Sequence, residues 1–86
     1  MPEQILKSNL AKLREELGQQ RQLDAETRQE LAEIAATIER LLHAAEPNYG
    51  EAQASLEDAA LRFEAGHPTF AKILSEVTDA LAKLGI

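Results

Sequence analysis

Two places in the chain bring a carboxylate and an imidazole to helical spacing. Glu64-Ala65-Gly66-His67 has the Glu-x-x-His spacing of di-iron carboxylate bundles, where two such motifs and two further glutamates face one another. A homodimer would supply two copies, so a metal-binding or carboxylate–histidine enzyme built on Glu64 and His67 is one reading. That chemistry needs both ligands on one continuous helical face, and Gly66 and Pro68 bracket His67 with helix-breaking residues. A structural hinge made of Phe63, Gly66, His67, Pro68 and Phe70 is the preferred reading. Glu39 and His43 stand four apart, a spacing open to a two-ligand site or an acid–base pair. Near a helix C-terminus an imidazolium is favoured by the dipole alone, so this pair is ordinary surface. Glu15-Glu16 and Glu57-Asp58 are adjacent in sequence and point about 100° apart on a helix, so they do not converge as catalytic dyads do. Arg62 could clamp a carboxylate or phosphate; pairing with Asp58 or with helix-end carbonyls is the simpler role.

Other chemistries have no foothold. There is no cysteine, hence no disulfide framework and no Cys/His cluster for a structural metal. Ser8, Ser55 and Ser75 fall inside helical patterns without a strained elbow or a nearby histidine. Gly18, Gly50, Gly66 and Gly85 are far apart and mark inferred helix boundaries rather than a phosphate-cradling loop. The expectation is a protein that is not an enzyme, with no catalytic residues, no metal site and no cofactor.

The elements that must position these residues read as helices. Leu6, Leu10, Leu13 and Leu17 alternate four and three apart, the spacing of one helical stripe over residues 2–17. Glu3 with Lys7 and Lys12 with Glu16 are placed as i,i+4 pairs. Gly18 is expected to stop this helix with a positive φ. Asp24 is a good N-cap for a second helix over 24–45, with Glu26 in its first turn. Its stripe is Leu31, Ile34, Ala35, Ile38, Leu41, Leu42 and Ala45. Pro47 interrupts the pattern, and Asn48 is placed to cap a third helix over 49–65, with Tyr49, Ala52, Leu56, Ala59, Ala60 and Phe63 inward. Leu61 projects about 140° from Leu56, so with Arg62 it forms a candidate partner surface. Asp58 and Arg62 should pair. Gly66 is expected to close the third helix in a left-handed cap, with His67 as N-cap and Pro68 as first residue of a fourth helix over 68–84. On that helix Phe70, Ile73, Leu74, Val77, Leu81 and Leu84 share one face, and Asp79 and Lys83 should pair. Gly85 would then close it, with Ile86 folding back towards Leu81. The corner should let Phe63 and Phe70 meet in the core, and Gly66→Val should cost about 1 kcal/mol through strain.

Length and charge narrow the class. Eighty-six residues make one domain, 1–86, and a chain of this size buries only roughly two-thirds of its unfolded surface, so self-association is a natural support. The net charge is −6, with residues 24–46 carrying six acids against two bases. An acidic surface repels phosphate backbones and anionic headgroups, so neither nucleic acid nor membrane is expected as a partner. The N-terminus lacks the basic start and apolar run of a signal peptide, and a cytoplasmic location is expected.

Arg62-Phe63-Glu64, His67-Pro68-Thr69 and the closing Gly85-Ile86, with the leucine-rich helix between them, resemble a family of small bacterial proteins classed as domain of unknown function family 4404. The resemblance extends over nearly the whole chain. Where many members carry leucine at position 70 and methionine at position 84, this chain has Phe70 and Leu84, both apolar changes. The resemblance implies a compact helical protein of bacterial origin and brings no activity or catalytic residues with it.

The expectation is thus an all-α bundle of about four amphipathic helices in two hairpins, self-associating, a dimer being favoured. Its function is read as a non-enzymatic protein–protein interaction or oligomerisation module with an unidentified protein partner. Besides the Glu64/His67 enzyme, an antitoxin-like or regulatory inhibitor of a basic partner is the other alternative.

Overall fold

A computed structural model describes residues 2–85, without the side chain of Pro2. It is all-helical: α1 spans Pro2–Gln19, α2 Ala25–His43, α3 Tyr49–Phe63 and α4 Pro68–Leu84. Successive helices are joined by short connections and form two hairpins, α1–α2 and α3–α4. The hairpins meet through α1 and α4, whereas α2 and α3 touch only sparingly. The body measures 36 × 21 × 20 Å, its long axis set by helices of 15 to 19 residues at about 1.5 Å per residue.

The capping chemistry determines where α2 and α3 begin. The Asp24 carboxylate accepts the Thr27 N–H at 2.9 Å, and the Asn48 side chain accepts the Glu51 N–H at 3.1 Å while donating to the Glu51 carboxylate at 3.2 Å. Each satisfies backbone donors that a helix start leaves orphaned. The helix ends differ from expectation. No described glycine has a positive φ, so neither Gly18 nor Gly66 nor Gly85 is a left-handed cap. The first helix runs through Gly18 and closes with Gln20 N–H to Glu16 C=O at 3.0 Å. Its bare carbonyls are satisfied from outside, because the Arg28 guanidinium donates to the carbonyls of Leu17, at 3.0 Å, and of Gln20. A long cation reaching back across the connection replaces the glycine. Gly85 stays right-handed at φ −81° and donates to the Leu81 carbonyl at 2.9 Å. The expected return of Ile86 lies outside the described residues.

The core follows the stripes, with additions on α4 and α1. On α4, Phe70, Ile73, Leu74, Val77 and Leu81 are buried as expected, and Ala71, Thr78 and Ala80 join them. Packing against both α3 and α1 buries both flanks of α4, which a single stripe does not capture. Thr78 hides its hydroxyl by donating to the Leu74 carbonyl at 2.8 Å. On α1 the fully buried line is Leu6, Asn9 and Leu13, with Leu10 and Leu17 partly buried beside it. Asn9 is only 1 % exposed, and its amide nitrogen has no hydrogen-bond partner among the described residues. The expected end of α2 is too long by two residues, and Ala45 is exposed in the linker.

Expected surface pairs divide in the same way. Lys7 reaches Glu3 at 3.7 Å and Arg62 reaches Asp58 at 3.2 Å. Lys12 turns from Glu16 to Glu76 of α4 at 3.9 Å, while Gln20 donates to Glu16. Asp79 and Lys83 do not pair with each other. No helix among the described residues is long and apolar enough to cross a membrane.

Candidate functional site

The corner between α3 and α4 is built from right-handed turns. Past Phe63 the backbone keeps a helical conformation at Glu64, φ −55° and ψ −41°, and the His67 N–H still bonds back to the Phe63 carbonyl at 2.8 Å. At His67 the chain swings to φ −140° and ψ 68°. Pro68 then starts α4 with its own donor absent, where an N–H would have no partner. His67 occupies the N-cap position, yet its side chain makes no capping bond.

The imidazole is used as a ring. Its centroid lies 5.8 Å from that of Phe63 and 6.3 Å from that of Phe70, edge-on to both at 66° and 68°, an arrangement aromatic quadrupoles favour. Phe63 and Phe70 belong to one buried cluster, with His67 bridging their rings. Glu64 points to solvent. Among the described residues no three His, Asp or Glu side chains converge as a metal cluster. The corner also faces the α1–α2 connection. The Asp24 carboxyl is held below the usual aspartate value by hydrogen bonds from Thr27, side chain first and then backbone, with a smaller attraction from His67.

Arg62 is a tie between helices. Its guanidinium donates to Glu30 of α2 at 2.5 Å and to Asp58 at 3.2 Å, and these bonds, Glu30 first, hold it protonated even more firmly than a free arginine. Sequence spacing revealed the Asp58 contact but not Glu30, which is 32 residues away. Glu39, considered with His43, bonds instead to Arg14 of α1 at 2.6 Å.

Leu61 is the large apolar side chain among the candidate residues that is left open. It is 67 % exposed and stands at the edge of a groove of about 440 Å³ along the outer side of the α3–α4 hairpin. Ala60, Ala71 and Thr78 line the groove, and Ala71 and Thr78 are themselves buried. The structure therefore separates residues that sequence grouped together: Phe63, His67 and Phe70 are packed, Arg62 is engaged, and Leu61 faces outward beside a trough. The groove itself was not foreseen. Its signal lay in the small residues Ala60, Ala71 and Ser75 beside Leu61 once the two helices are placed together.

A model of the family described as domain of unknown function DUF4404 matches residues 6–86, nearly the whole chain, and the protein belongs to that family. No curated protein and no solved structure matches it.

Proposed function

We propose that this DUF4404 chain is a non-enzymatic interaction module whose docking face is the outer groove of the α3–α4 hairpin. One observation carries the reading: Leu61 is 67 % exposed beside a groove of about 440 Å³, although the rest of its helix has apolar positions enough to fill the core. An exposed leucine alone is ordinary. An exposed leucine at the rim of a trough floored by alanines gives a partner both an anchor and a place to lie. The groups with the most chemical potential are otherwise occupied, His67 in edge contacts with two phenylalanines and Arg62 between two carboxylates.

Affinity purification from the native host at low salt, run in parallel with wild type and Leu61→Glu, tests the reading. A protein retained by wild type and lost by Leu61→Glu, with unchanged thermal melting, is the expected result. Identical sets of retained proteins would overturn it.

A further inference from the structure

We infer that the occupant of this groove is a basic amphipathic helix of a partner protein, an inference that rests on the docking face proposed above. The walls have helical periodicity. Glu57, Leu61 and Glu64 rise along α3, and Lys72, Ser75 and Asp79 along α4, each set spaced three or four apart and so forming one ridge. From Pro68 to Asp79 the groove runs about 16 Å, roughly three helical turns. A trough of that length between two antiparallel helices matches a third helix laid along it, and its small floor residues permit close approach.

Charge selects the partner. The rim carries Glu57, Glu64 and Asp79 against the single base Lys72, and none of the four enters an ion pair among the described residues. Arg62, the base nearest to them on α3, does not offset the acids because Glu30 and Asp58 hold it. A second copy of this chain would bring an equally acidic rim against this one, on a molecule of net charge −6, and like charges facing across an interface oppose association. A helix with one large apolar side chain beside Leu61 and lysine or arginine on its flanks meets both the apolar and the acidic parts of the surface.

The probe is a labelled leucine/lysine amphipathic peptide of about five helical turns, with a leucine/glutamate counterpart, titrated into the full chain and followed by binding and by backbone amide shifts. The lysine peptide should bind and the glutamate peptide should not, with shifts concentrated in residues 57–64 and 68–79. Leu61→Ala and the double variant Glu57→Gln/Glu64→Gln should each weaken binding by about fivefold or more, roughly 1 kcal/mol. Glu33→Gln/Glu46→Gln, which removes the same charge from α2 and the central linker, should leave it unchanged. Equal weakening by both double variants, or shifts centred on α1 and α2, would overturn the inference by reducing it to general attraction. Sedimentation of the chain alone separates the two levels. A dimer abolished by Leu61→Ala makes a second copy the occupant, overturning the basic helix while sustaining the docking face. If Leu61→Ala alters neither peptide binding nor mass, both fall.

Discussion

Asn9 sits in the line Leu6, Asn9, Leu13 with its amide nitrogen unpartnered among the described residues, a group whose lost hydration costs about 1–3 kcal/mol when no hydrogen bond replaces it. Asn9→Leu, which keeps the branched skeleton but with bulkier ends, should therefore raise stability by about 1 kcal/mol, read as a higher melting temperature; a lower one would mean that the site is too tightly packed for the larger side chain or that the amide has a stabilising role. Gly66 invites the opposite correction of an expectation. With no positive φ and nothing within 4 Å of an added Cβ, the strain expected of a larger residue there has no structural basis. Gly66→Ala should instead stabilise by about 0.4–1 kcal/mol by restricting the unfolded chain, which denaturant titration measures. Asp24 links the same end of the molecule to pH. Its folded pKa lies below the ordinary 3.8, so its stabilisation is complete above that value and is lost as pH falls through the depressed folded pKa. Asp24→Asn keeps a capping oxygen and removes the titration, and should flatten this part of the acid limb in a plot of melting temperature against pH.

At the scale of elements, the helices and their inward faces were legible because period and capping chemistry are local properties. Asp24, Asn48 and Pro68 start α2, α3 and α4 as their residue types imply. The ends were less legible because they depend on residues far along the chain. Gly18 looked like a stop, but the helix passes through it and Arg28, ten residues on, supplies the missing donors to Leu17 and Gln20. Arg28→Ala should leave those carbonyls to water and loosen the α1–α2 connection, speeding amide exchange over residues 17–24 more than in α4. Uniform exchange rates would assign the turn's rigidity to packing of Leu17 and Leu23 instead. The same non-locality explains Lys12 with Glu76 and Arg62 with Glu30, pairs made only when hairpins dock. Exposed pairs of this kind contribute about 0–1 kcal/mol, so their part is alignment of helices more than overall stability.

The whole molecule is asymmetric in its packing. The fourth helix is the hub, contacting α3 and α1, while the α2–α3 seam is thin and bridged by Arg62 and Glu30. The outer side of α3 and α4 is nevertheless a face with its own anchor, groove and charge, and it is there that a partner is proposed to bind. The leucine that failed to fit its stripe was visible in sequence; the trough beside it needed two helices brought together, which periodicity within one helix does not specify. The most direct test is an amide-exchange footprint on the complex isolated from the native host. The account predicts protection gathered in residues 57–64 and 68–79, with α1 and the outer face of α2 exchanging as in the free chain. Protection centred on α1 or α2, with residues 57–64 unchanged, would contradict it.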